Sequence, residues 1–183
     1  MRLFVAIELP QVVRQHLQRM QDALRPVIPA RWTKSEQLHV TLKFLGETAD
    51  AVVPRIIEGL RTIQIEQPIQ LSVSGVVCFP PHGPIRIVAA GFSDADGRCA
   101  DLAKRIDTAC HGAGFALEHR PWTAHVTIGR VKERTPRDTR DRAAGVVAAM
   151  AAGPSWDVEE FALIQSHLDQ RGPTYIRAAH FPA

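Results

Sequence analysis

With 183 residues, 45% of them hydrophobic and 22% charged, the chain fits one soluble globular domain able to bury a substantial core without staples. Its longest apolar runs, such as residues 145–152, fall well short of the roughly 20 residues needed to cross a bilayer, so no membrane association is expected. Net charge is +3, compatible with a polyanionic partner without indicating one, but Arg130, Lys132, Arg134, Arg137, Arg140 and Arg142 crowd into one short stretch.

The chain opens on an apolar strand, Arg2–Glu8, which lacks the length and cleavage site of a signal peptide, and a cytoplasmic location is expected. Pro10 suits the first turn of a helix, in which Val13, Leu17, Met20 and Leu24 recur at helical spacing. After a break at Pro26 and Pro29, residues 38–46 read as a strand, residues 51–65 as a helix with Ile56, Ile57, Leu60 and Ile63 inward, and Ile69–Phe79 as a β-branched strand. The order then repeats. A strand at 86–90 is followed by a helix at 96–112, a strand at 124–130, a helix at 138–152, and strands near 158–167 and 174–181. Two pseudo-repeats, about 1–80 and 84–183, are expected within a single bilobal domain, with Arg2 and Arg86 each preceding a histidine strand and a tryptophan (Trp32, Trp122) shortly before each histidine.

The matched strands carry the chemistry. One contains His39-Val40-Thr41-Leu42, the other His125-Val126-Thr127-Ile128. Side chains alternate on a strand, so each histidine shares a face with its threonine, their Cα atoms about 7 Å apart, while Val40, Leu42, Val126 and Ile128 point to the buried side. One His-x-Thr strand is weak evidence. Two tetrapeptides at corresponding places in a duplicated architecture are hard to reduce to packing, which would select apolar residues. If the two strands meet at one groove, a neutral imidazole can take a proton from an attacking water and a protonated one can give a proton to a leaving oxygen. The threonine hydroxyls can donate to non-bridging phosphate oxygens. That set suits opening a strained cyclic phosphodiester, with no metal or cofactor. His16, His82, His111, His119, His167 and His180 lack this setting and read as surface or edge residues; Cys78, Cys99 and Cys110 read as buried free thiols.

With these residues the chain resembles the RNA 2′,3′-cyclic phosphodiesterases, also called 2′-5′ RNA ligases, of the 2H phosphoesterase superfamily. The resemblance spans nearly the whole chain. It rests on Arg2-Leu3-Phe4-Val5-Ala6, the run from Leu38 to Gly46, Phe79-Pro80, the run from Arg120 to Arg130, Ser166-His167-Leu168 and Gly172-Pro173-Thr174-Tyr175. Two departures are Ala124, where the family usually has proline, and Ala89-Ala90, where it tends to carry a tryptophan. The resemblance implies an α+β, two-lobed fold whose antiparallel sheets line a central groove, with helices outside. It implies conversion of RNA 2′,3′-cyclic phosphate ends, or small cyclic nucleotides, to 2′-phosphates by His39 and His125, the residues leaving open which is acid and which base and the analogy favouring His39 as acid, and it extends to the reverse, 2′-5′ joining. A non-catalytic RNA-end-binding module is the alternative. The protein is expected to be a monomer.

Further candidates surround this core. Arg130, five residues after His125, would face away from it in regular geometry, and a bulge at Gly129 would turn it towards phosphate. Phe44 and Tyr175 are candidates for stacking on a base, Phe44 being equally suited to the core. Trp32 and Trp122 read as packing residues, and Arg134 to Arg142 as a solvated face.

Overall fold

The structure, a computed structural model, describes residues 1–150, 152–169 and 172–182. The strands are β1 (Arg2–Glu8), β2 (Ala30–Trp32), β3 (His39–Glu47), β4 (Ile69–Phe79), β5 (Ile87–Ser93), β6 (His125–Val131), β7 (Ser155–Val158), β8 (Glu160–Asp169) and β9 (Gly172–Pro182). The helices are α1 (Gln11–Leu24), α2 (Val53–Arg61), α3 (Arg98–Gly112) and α4 (Thr139–Ala148), with short 3₁₀ turns at Ser35–Gln37 and Asp50–Val52.

Val13, Leu17, Met20 and Leu24 form the buried face of α1, as the helical spacing requires, with Pro10 one residue ahead as its N-cap. Helix α2 stops at Arg61, short of residue 65, because Ile63 and Ile65 are buried by extended alternation with exposed Gln64 and Glu66. Helix α4 ends at Ala148 rather than 152. Ala151 lies outside the described residues, and beyond Pro154 the chain becomes β7, a short strand the sequence did not announce. Strand β2 was equally unannounced, and follows the proline break directly.

Two curled antiparallel sheets form the two lobes, one in the order β3-β1-β8-β9 and the other β2-β6-β5-β4-β7. Lobes and repeats are cut differently. In each round the first two major strands stay together (β1 with β3, β5 with β6), and the third crosses over: β4 pairs with β5, and β8 with β1. Helices follow the exchange. Helix α3 packs on β3 and beside α2, while α1 packs on β6 and beside α4.

Both faces of β1 are buried. Leu3, Val5 and Ile7 enter the main core, which runs continuously through both lobes. Phe4 and Ala6 join Ala162, Ile164 and Tyr175 in a small apolar cluster on the opposite face. Among the described residues no helix is long and apolar enough to cross a membrane. Cys99 and Cys110 are buried, their thiols pushed up to about 12 and about 11 chiefly by burial. Cys78 is only half-buried, since from Val73 on neither face of β4 is fully covered. His16, expected at the surface, is buried where α4 lies on α1, and burial lowers its pKa.

Because each sheet needs strands from both rounds, a fragment of residues 1–84 has β1–β3 without β8–β9 and β4 without β5. Expressed alone it is expected to stay unfolded by circular dichroism, and to regain structure only when mixed with the complementary fragment.

Candidate functional site

β3 and β6 approach each other across the two sheets, with Cα atoms within 8 Å. In both strands the motif alternates as expected: His39 and Thr41 are half-buried between buried Val40 and Leu42, and His125 and Thr127 between buried Val126 and Ile128. A cavity of about 480 Å³ is lined by His39, Thr41 and Phe44 of β3, Thr127 and Arg130 of β6, and Tyr175 of β9. His125 is not part of that lining. Its ring stands beside Phe79, centroids 5.3 Å apart, on the same face of β6 as Thr127.

The two imidazoles are held alike. Nδ1 of His39 donates to the carbonyl of Gln37 at 2.8 Å, and Nδ1 of His125 to that of Thr123 at 2.9 Å. A carbonyl only accepts, so the Nδ1 proton is fixed in both rings, and Nε2 is left as acceptor when neutral and donor when protonated. His39 stacks on Phe4 at 4.6 Å and meets the edge of Tyr175 at 5.2 Å. Burial lowers its pKa, opposed by the hydrogen bond to Gln37 and by the charge of Glu8.

Matched bulges shape the rest of the site. Val5 pairs with Lys43 and Ala6 with Thr41, leaving Leu42 as an extra residue; Val88 pairs with Gly129 and Ala89 with Thr127, leaving Ile128 extra. Each bulge shifts the alternation by one, so the fifth residue after the histidine returns to the groove face. Phe44 and Arg130 occupy these equivalent positions. Phe44 is 66% exposed, so it is no core residue. The carbonyl of Ile128 accepts from Thr33 N–H and from Nε2 of buried Gln21, which ties the second bulge to α1. Gly129 lets the strand approach Trp32 closely, since a Cβ would stand 3.0 Å from its ring and the ring would have to give way.

Arg2 and Arg31 join Arg130 in the lining, with no carboxylate among the lining side chains. None of these three arginines makes an ion pair among the described residues. Tyr175 stands near two of them: burial raises its pKa, against the charges of Arg130 and Arg2. The groove lining therefore combines three cations, suited to phosphate, with the rings of Phe4, Phe44 and Tyr175. Among the described residues no three histidine, cysteine, aspartate or glutamate side chains converge as metal ligands.

Sequence reasoning missed Lys43. It is 3% exposed, bonding Asp107 of α3 at 2.6 Å, the Ala116 carbonyl at 2.7 Å and, at 3.4 Å, Glu118. Trp122, read as packing, also donates from Nε1 to the Thr41 carbonyl at 3.0 Å. The segment leading to His125 is thus fastened to the strand that carries His39. A lysine beside a half-exposed motif in a strand reads as solvent-facing, and only the bulge turns it inward. Trp32 lines the groove as well as packing against the core. Arg140, expected in solvent, donates to the carbonyls of Cys78, Pro80 and Gly83 and closes the β4–β5 turn.

A family model described as LigT-like phosphoesterase matches the chain twice, at residues 7–89 and 93–175. The RNA 2′,3′-cyclic phosphodiesterase of Methanothermobacter thermautotrophicus is 32% identical over 176 residues, covering 95% of this chain and 94% of its own. That of Thermus thermophilus is 33% identical over 183 residues, covering 96% and 86%. The crystal structure of TT0787, also from Thermus thermophilus, superposes with a TM-score of 0.82 at 29% identity, covering 100% of this chain and 97% of that one. Apo LigT of E. coli shares the fold, with a TM-score of 0.78 at 21% identity.

Lys43→Ala strands the carboxylate of Asp107, 14% exposed, and is expected to cost about 3–5 kcal/mol in urea unfolding. Lys43→Met with Asp107→Leu, which removes both charges, should recover much of the loss.

Proposed function

The chain belongs to the LigT-like phosphoesterase family and is a hydrolase of phosphate esters, and we propose that it opens 2′,3′-cyclic phosphate ends of RNA to 2′-phosphates by two-histidine acid/base catalysis. The observation that carries this reading is the paired geometry: two His-x-Thr strands with both Nδ1 atoms committed to backbone carbonyls, each leaving Nε2 to exchange a proton. The relatives named as RNA 2′,3′-cyclic phosphodiesterases, at 32% and 33% identity over nearly all of this chain, support the substrate class.

In the proposed reaction the cyclic phosphate lies on Thr41 and Thr127, whose hydroxyls donate to its non-bridging oxygens, while Arg130 balances its charge. The terminal base stacks on Phe44 and Tyr175. Nε2 of His125 takes a proton from water as its oxygen attacks phosphorus. The bond to the ribose 3′ oxygen breaks, and that oxygen takes the proton from Nε2 of His39, leaving a 2′-phosphate. Burial favours neutral His39 in the empty groove, but a bound phosphate anion works the other way and raises its proton affinity. With a 5′ hydroxyl in place of water as the attacking group, the same step would join the cyclic end through a 2′-5′ bond, Nε2 of His125 taking the hydroxyl proton and the 3′ oxygen leaving with the proton from His39.

His39→Ala and His125→Ala are each expected to lower kcat about 10²–10⁴-fold on an RNA with a cyclic phosphate end, with the wild-type rate unchanged by EDTA. No turnover by folded wild type would sink the proposal.

The acid is identified by changing the leaving group. A cyclic phosphorothiolate with sulfur at the 3′ position leaves without a proton. It should restore most of the rate to His39→Ala and little to His125→Ala; the opposite pattern exchanges their roles. For wild type on the natural ester, kcat/KM should fall as pH rises through the lowered His39 pKa, because the acid must be protonated. The corresponding limb in kcat should lie at higher pH.

A further inference from the structure

A second basic cavity lies beyond the groove. It encloses about 450 Å³ between the β4–β5 turn and the segment joining β6 to α4, and is lined by His82, Arg134, Arg137 and Arg140 among proline, glycine and other uncharged neighbours. No carboxylate is in its lining. The arginines divide the work. Arg140 is consumed by the carbonyls of Cys78, Pro80 and Gly83, which fixes one wall. Arg134 and Arg137 make no ion pair among the described residues and stand exposed.

This cavity is joined to the groove by chain and by sheet. Arg130 lines the groove, and Arg134, four residues further on, lines the cavity, at most about 14 Å away along extended chain. Phe79, whose ring stands beside His125, leads directly into the turn that makes the opposite wall. An RNA whose cyclic 3′ end sits on the histidines must continue on its 5′ side, carrying one negative charge per nucleotide. Cations without ion pairs among the described residues, Arg130 at the groove and Arg134 and Arg137 a short stretch of chain beyond it, are the chemistry that receives such a strand.

Resting on the phosphodiesterase reading, we infer that this cavity is a backbone subsite, where Arg134 and Arg137 hold phosphates a few nucleotides upstream of the cyclic end. The enzyme's substrate is therefore a polynucleotide end rather than a free cyclic mononucleotide. Chemistry at the histidines needs only the last nucleotide; affinity comes from the strand behind it.

The test compares a nucleoside 2′,3′-cyclic phosphate with an RNA of about eight nucleotides ending in the same group, between roughly 50 and 200 mM salt. Arg134→Ala/Arg137→Ala is set beside wild type and beside Arg61→Ala/Lys104→Ala, which removes two exposed cations elsewhere and keeps net charge equal. Wild type should show a lower KM for the longer RNA, rising steeply with salt. The arginine pair should raise that KM several-fold, reduce the slope of log KM against log salt by about 1.4 for two lost phosphate contacts, and leave kcat and both constants for the mononucleotide unchanged. The control pair should behave as wild type. Equal KM for both substrates in wild type, or an equal effect of the arginine pair on both substrates or by the control, overturns the subsite while the phosphodiesterase reading stands. Absence of turnover on both substrates overturns that reading and the subsite with it.

Discussion

The site depends on one extra residue in each of two strands. A strand presents alternate side chains to one face, so position five after each histidine would point into the core. The unpaired Leu42 and Ile128 cancel that, one in each lobe, at the same place relative to the histidine. The two lobes then use the recovered position differently. One fills it with an aromatic ring, Phe44, the other with a guanidinium, Arg130. A symmetric frame thereby holds an asymmetric groove.

The supports of this frame are polar and internal. Gln21 occupies the carbonyl of the extra Ile128, and Trp122 reaches the Thr41 carbonyl from the other lobe. Lys43 gives its charge to Asp107 and its remaining protons to the segment before His125. Buried polar groups without partners are expensive, so these bonds specify one arrangement of the two motif strands instead of a range of nearly equivalent ones.

Much of this was legible in the amino-acid order. The paired tetrapeptides placed His39, Thr41, His125 and Thr127 on shared faces, and the helical stripe of α1 was readable residue by residue. Arg130 was legible as a question, since Gly129 marked where a bulge would turn it. What stayed hidden depended on contacts distant in sequence. The partner of Lys43 is on α3, and that of Arg140 on the β4–β5 turn. Strands β2 and β7 are too short to show a period of their own, and exist because β6 and β4 offer them an edge. The exchange of β4 and β8 between sheets left no local trace, because pairing partners are not written in periodicity.

That exchange also decides how the groove can move. Between β1 and β8 the chain passes from one sheet to the other four times, the last through Glu159 alone between β7 and β8. Two bodies joined by one linker can swing like a jaw on a few backbone torsions. Here any widening would pull on four covalent crossings at once and part the apolar core that runs through both lobes. The spacing of the two motif strands is accordingly held by the backbone itself and not by side-chain contacts alone.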